Sequence, residues 1–124
     1  MVIINVSFII PVYNRPEEIN ELLQSFSNLD GDYNFEIVII EDGSNNCSDK
    51  IVSSYSNDLN ISYYTKNNTG PGDSRNFGMK KAKGNYFIIL DSDCILPKNY
   101  LLNFFTNINH KYVDCFGGVD DSHH

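Results

Sequence analysis

The sequence predicts one α/β domain built on a mainly parallel sheet flanked by helices. Four runs of apolar, β-branched or aromatic residues, at positions 6–12, 35–40, 61–65 and 86–90, are separated by stretches with helical apolar spacing. Three of these runs are nearly continuous rather than alternating, as strands covered on both faces of a parallel sheet must be. Strand and helix then alternate, which implies right-handed crossovers within one sheet. A chain of 124 residues has the size of one domain and buries roughly two-thirds of the surface that its unfolded form exposes.

The elements follow in order. After the first run, Ile19, Leu22, Leu23 and Phe26 recur at i, i+3, i+4 and i+7 from Pro16 onward, with Asn14 as a candidate cap and Glu17 and Glu18 in the first turn. Asn46 or Ser48 could cap a second, shorter helix carrying Ile51, Val52 and Tyr55. A third helix is expected to begin near Asp73, to carry Lys80, Lys81 and Lys83 at its end and to stop at Gly84. A fourth opens after Pro97 and buries Leu101, Phe104, Phe105 and Ile108, and residues 112–116 have the character of one more strand. Residues 1–122 read as one domain and His123-His124 as the remnant of a purification tag.

Composition narrows the function. Sixteen acidic against nine basic residues give a net charge of −7, which argues against a nucleic-acid binder that must meet phosphates with a basic face. An anionic ligand would need a cation or local amide donors. Cys47, Cys94 and Cys115 form no CxxC pair and have no His at zinc-like spacing, so neither a disulfide framework nor a zinc site is expected and a reducing, cytoplasmic setting fits. The opening run is too short for a membrane span and lacks the basic start of a signal peptide.

Polar signals collect at the carboxyl ends of the strands, where open α/β sheets bind ligands. They are Pro11-Val12-Tyr13-Asn14, Glu41-Asp42-Gly43-Ser44, residues 67–72 around Gly70, and Asp91-Ser92-Asp93. The opposite ends look like plain turns. In an extended chain Asp91 and Asp93 point to one side, and two carboxylates so placed call for a shared proton or cation. An oxygen-only site suits Mg²⁺ or Mn²⁺ completed by substrate phosphates. A capped loop would leave the same D-x-D pattern, and Glu41-Asp42-Gly43 could be a simple turn with its glycine at positive φ. Gly70-Pro71-Gly72 could let backbone approach a ligand while Arg75 meets a phosphate or a base, or could be an ordinary helix start. Tyr13 could stack on a base or simply pack.

Taken in order, these motifs resemble family 2 of the nucleotide-sugar glycosyltransferases, which have the GT-A fold. SFIIPVYNRPEEINELLQSF is similar to that family's opening strand and helix, EIVIIEDGSNNCSDKIV to its second strand with an acidic pair, and NNTGPGDSRNFGMKKAKGNYFIILDSDC to its glycine loop, Arg-Asn helix and D-x-D strand. Glu41 stands where the family more often has Asp, and Cys94 where many relatives have a further Asp. The resemblance implies transfer of a sugar from a nucleotide diphosphate donor, often a UDP-sugar, to a glycan or lipid-linked acceptor with inversion. It implies that Pro11, Val12, Tyr13 and Asn14 line the nucleotide, that Asp42 contacts the base with Glu41 in support, and that Gly70 and Arg75 lie near the base or phosphates. Asp91 would approach the ribose or metal, Ser92 would belong to the nucleotide-sugar site, and Asp93, with Asp91, would ligate Mn²⁺ or Mg²⁺. The general base of this family lies beyond the D-x-D, so the chain reads as a truncated, donor-binding half, from an enzyme that is cytoplasmic or at the inner face of the membrane. A non-catalytic nucleotide-binding or scaffold module of the same fold is the alternative. A nucleotidyltransferase would want a basic glycine-rich loop after the first strand, which Asn14-Arg15-Pro16 does not supply.

Overall fold

The computed structural model describes residues 3–108. Four strands, β1 (Val6–Val12), β2 (Phe35–Asp42), β3 (Ile61–Lys66) and β4 (Tyr86–Ile89), alternate with helices α1 (Pro16–Phe26), α2 (Asp49–Tyr55), α3 (Pro71–Lys81) and α4 (Tyr100–Ile108). All three strand pairings are parallel, in the order β3-β2-β1-β4. Every described strand therefore delivers its carboxyl end to one edge, and order reverses beside β1, whose neighbours are β2 and β4. The expected strand at residues 112–116 lies outside the described residues.

The central strands are apolar because both their faces are covered. Phe8, Ile10, Ile37 and Ile39 are fully buried on one face with Ile19, Leu22 and Leu23 of α1, Val52 of α2, and Leu101 and Phe104 of α4. Ile9, Val38 and Ile40 point to the other face, beneath α3. Each fully buried Ile or Leu contributes about 1.5–3 kcal/mol. β4 is the exception to two-sided cover: at the sheet's edge, Phe87 and Ile89 are exposed and only Ile88 is buried.

Two polar interruptions in the apolar runs have a structural purpose at the far edge of the sheet. Ser7 Oγ donates to buried Glu36 Oε2 at 2.6 Å, and that same oxygen accepts the Lys83 N–H at 2.6 Å. The Gly84 N–H donates to Ser7 Oγ at 2.8 Å. Gly84 is not the helix stop the sequence implied: α3 ends at Lys81 with Ala82 as cap, and Gly84 instead lies where an added Cβ would sit 2.6 Å from Ser7 Oγ.

Helix α3 differs from the others in having no apolar stripe; it buries Ser74 and Gly78. It starts at Pro71, two residues before the Asp73 start expected from charge, because Gly70 at φ +102° turns the chain and Pro71 supplies a pre-set first helical φ. Small residues let its backbone lie close on the sheet, and a Cβ on Gly78 would fall 2.6 Å from Ile9 Cγ2 and 2.7 Å from Ile40 Cδ1. Gly78→Ala is expected to destabilise the protein by about 1–3 kcal/mol through overpacking. Gly72→Ala, where the added methyl meets nothing within 4 Å, serves as the control in a urea titration and is expected to leave the midpoint nearly unchanged.

Candidate functional site

Four loops meet beyond the carboxyl ends of the strands, and buried carboxylates hold those that follow β2 and β3. Glu41 is 1% exposed. Its Oε1 accepts Ser48 N–H at 2.9 Å, Ser48 Oγ at 2.8 Å and Tyr63 OH at 2.6 Å, while Oε2 accepts Ser44 Oγ. Burial, and then that hydrogen bond to a carboxylate, push the Tyr63 phenol well above its ordinary value. Glu41 thus frames the β2–α2 loop and belongs beneath the cleft. Ser48 starts α2, but its hydroxyl turns to Glu41 and makes no capping bond.

Asn14 does not cap α1 either; Arg15 occupies that position. Asn14 sits at φ +53°, a left-handed conformation that Asn tolerates better than most residues. Its Oδ1 accepts the amides of Asn45 at 2.8 Å and Asn46 at 2.9 Å, and its own N–H donates to Ser44 Oγ at 2.8 Å. The residue rivets the β1–α1 turn to the β2–α2 loop.

Asp42 is the second buried carboxylate, 4% exposed. Oδ1 accepts Lys66 Nζ at 2.7 Å and Thr69 N–H at 3.0 Å; Oδ2 accepts Gly70 N–H at 3.0 Å. Burial alone would raise its pKa, but the bonds from Lys66, Thr69 and Gly70, with the charge of Lys66, outweigh it, so the carboxyl lies below its usual 3.8. Gly43, at φ +73°, makes this closeness feasible: a Cβ there would stand 2.6 Å from the Asn68 amide nitrogen.

These loops enclose a cleft with two lobes that share Pro11 and Pro71. The first, of about 240 Å³, is lined by Pro11, Val12, Tyr13, Asp42, Asn68, Gly70 and Pro71. Apolar walls, a half-exposed tyrosine ring and one buried acceptor suit a flat heterocycle. The second, of about 360 Å³, is lined by Arg15, Glu18, Arg75, Asp91, Ser92 and Asp93 beside the shared prolines. The amino-terminal end of α3 opens between them at Pro71, where unpaired backbone N–H groups and the helix dipole favour an anion.

Asp91 and Asp93 do share one lobe, but not through strand geometry. β4 ends at Ile89, and residues 91–94 turn, with the Cys94 N–H donating to the Asp91 carbonyl at 3.1 Å. Ser92 Oγ donates to Glu18 Oε1 at 2.8 Å, which fastens this turn to α1. Among the described residues no three His, Cys, Asp or Glu side chains gather as a metal cage. Asp91 and Asp93 are two carboxylates on one turn, and Mg²⁺ commonly takes one or two from protein when substrate phosphates complete its shell.

The sequence-derived site residues therefore divide. Pro11, Val12, Tyr13, Asp42 and Gly70 line the first lobe and Arg75, Asp91, Ser92 and Asp93 the second, whereas Glu41 and Asn14 form the frame. Sequence reasoning missed Arg15, Glu18, Lys66 and Asn68. Lys66 was the most accessible of these, since a charged residue closes the third apolar run and register pairs it with Asp42.

A parallel sheet with all its described strand ends feeding a two-lobed cleft, apolar on one side and charged on the other, is an α/β architecture of GT-A type. The profile of glycosyl transferase family 2 matches residues 7–122, and the chain belongs to that family. An uncharacterized glycosyltransferase of Rickettsia bellii is 41% identical over 98 residues, covering 77% of this chain and 14% of the relative. The poly(ribitol-phosphate) beta-N-acetylglucosaminyltransferase TarS of Staphylococcus aureus is 35% identical over 111 residues, covering 87% and 19% respectively. This chain therefore spans less than a fifth of those two relatives. The crystal structure of S. aureus TarS residues 1–349 with UDP-GlcNAc superposes with a TM-score of 0.80 at 34% identity, over 86% of this chain and 31% of that one. A Pyrobaculum calidifontis mannosyltransferase in complex with GDP-Man and Mn²⁺ shares the fold at a TM-score of 0.78 and 21% identity, over 96% of this chain and 39% of that one. No helix among the described residues is long and apolar enough to cross a membrane.

The depressed Asp42 carboxyl makes a sign-definite prediction. A group whose folded pKa lies below its unfolded value contributes stability fully above the unfolded pKa, and that contribution is lost as pH falls through the folded pKa. Asp42→Asn is expected to be less stable than the wild type at pH 7, with the gap closing as pH drops from about 4 towards 2. Urea midpoints at pH 7, 4 and 2.5 check this; a gap that stays constant with pH would contradict it.

Proposed function

We propose that this chain is the donor-binding part of a metal-dependent glycosyltransferase that moves a sugar from a nucleoside diphosphate, a UDP-sugar, to a hydroxyl of a glycan or lipid-linked acceptor with inversion. The observation that carries the reading is the two-lobed cleft: an apolar lobe holding a fixed carboxylate adjoins a charged lobe with three carboxylates, Glu18, Asp91 and Asp93, and two guanidinium groups. TarS, which is similar over 86% of this chain, supports uridine as the base.

In this reading the base enters the first lobe against Tyr13, between Pro11, Val12 and the Gly70-Pro71 turn. Asp42 accepts an N–H from its edge, since the open acceptor position on Oδ2 carries no proton to give. The diphosphate lies across the amino-terminal end of α3, with Arg75 and Arg15 facing it. Asp91 and Asp93 would hold Mn²⁺ or Mg²⁺, with Ser92 kept in place by Glu18. When bound, that cation supplies stabilisation of the charge that grows on the departing nucleoside diphosphate. Inverting displacement also requires a base for the acceptor hydroxyl, and none of the described residues is assigned that role.

Calorimetric titration of UDP with and without MnCl₂ tests the proposal. Binding is expected to need the metal and to weaken by at least about tenfold in Asp93→Ala, the loss of one charge-assisted ligand. Binding indifferent to metal and to this substitution would instead identify a nucleotide-binding module without transfer chemistry.

A further inference from the structure

One charged side chain beside the cleft has no part in the scheme above. Lys66 ends β3 in register with Asp42, and its side chain is only 15% exposed. The ammonium donates to Asp42 Oδ1 at 2.7 Å, to the Asn67 carbonyl at 3.0 Å and to Thr69 Oγ1. Thr69 and Gly70 return their amides to the two oxygens of the same carboxylate, and Asn68 Nδ2 donates to the Asp42 carbonyl at 3.0 Å. An ordinary surface ion pair is exposed, mobile and nearly worthless. This one is enclosed and has a loop wrapped around it.

The acceptor count on Asp42 shows what the arrangement achieves. Oδ1 has both lone pairs taken, by Lys66 and by Thr69 N–H, while Oδ2 has one taken by Gly70 N–H. A single acceptor position is left, in a fixed direction, on a side chain that lines the apolar lobe.

We propose that Lys66 is a positioning residue of the donor site, whose ammonium fixes the rotation of the Asp42 carboxylate and clamps residues 67–70 as one wall of the cleft. The proposal rests on the donor-site reading above. Without the ammonium, Oδ1 regains a lone pair, the carboxylate can turn, and the wall that carries Asn68 and Gly70 loses its anchor. Protonation also becomes easier. From β3 the only charge beside Asp42 is Lys66; Glu41, its neighbour on β2, turns to Ser44, Ser48 and Tyr63. The β1–α1 turn contributes Tyr13, and α3 contributes Pro71 but no charged side chain to this lobe. Removing Lys66 thus leaves a buried carboxylate with backbone amides alone, which takes up a proton at higher pH, and a protonated Asp42 is a poorer acceptor for a base N–H.

The test measures the UDP dissociation constant in MnCl₂ for the wild type, Lys66→Met and Lys66→Arg from pH 8 to pH 5. At each pH the ratio of variant to wild type cancels the titration of the ligand and of the metal site. Lys66→Met is expected to bind about tenfold more weakly at pH 8, the worth of one positioned, charge-assisted hydrogen bond, with the ratio growing as pH falls. Lys66→Arg, which keeps the charge, is expected to stay near the wild type throughout. A ratio near one, or one that is constant with pH, overturns the proposal. Should Lys66→Met not fold, Lys66→Gln, which keeps a donor without charge, carries the same expectation. A folded wild type that binds no UDP at any pH defeats the donor-site reading and this inference with it; a wild type that binds while the Lys66 variants match it defeats the inference alone.

Discussion

Two adjacent carboxylates at the end of the second strand govern the architecture of the cleft. Glu41 and Asp42 follow four fully apolar positions, and both are almost completely buried. A buried carboxylate without partners costs several kcal/mol, so this strand end can exist only if neighbouring chain folds onto it. Successive side chains of a strand point to opposite faces, and the two acids accordingly gather different loops. Glu41 takes Ser44, Ser48 and Tyr63; Asp42 takes Lys66, Thr69 and Gly70. One strand end thereby sets the conformation of the loops on both sides of the sheet.

The same logic separates framing residues from lining residues. The Asn14 side-chain oxygen and the Glu41 carboxylate accept hydrogen bonds from neighbouring loops and so hold the cleft's shape. Asp42 keeps one acceptor position open. Tyr13 and Arg75 lie at the surface of the two lobes. The far edge of the sheet uses an equivalent device, Glu36 with Ser7, but there the oxygens meet the backbone amides of Lys83 and Gly84 in a plain turn. Polarity at a strand end does not make a site. Acceptors or donors left over after the loops are satisfied do.

Periodicity made the strands and helices legible, because burial on both faces of β1 and β2 leaves long apolar runs and α1 carries a full stripe. Motif order made the strand-end clusters legible. What escaped was contact across the chain. Asn14 has the residue type and spacing of a helix cap, yet it serves a loop thirty residues away. Asp91 and Asp93 converge through a turn held by a glutamate of α1, whereas alternation along a strand would have given the same prediction for a different reason. α3 lacks the apolar stripe by which a helix is usually found, because glycine and serine do the work of close approach that larger side chains do elsewhere. Lys66 was visible as a charge but not as a buried one, since only the register of β2 against β3 places it on Asp42.

The acidic character of the chain bears on what the charged lobe can accept. That lobe sets two guanidinium groups, Arg15 and Arg75, against three carboxylates, Glu18, Asp91 and Asp93. Arg15 lies 3.9 Å from Glu18, which also holds Ser92, so part of the positive charge is already engaged. A diphosphate entering this lobe on its own would meet a surplus of like charge, offset only in part by the amino-terminal end of α3. A divalent cation on Asp91 and Asp93 would reverse that balance and leave the lobe net positive. If the proposed function holds, metal and diphosphate would bind together or hardly at all: among the described residues no three ligands gather to cage a cation alone, and the phosphates would be repelled without one. Such cooperativity would be a property of the charge count in the cleft.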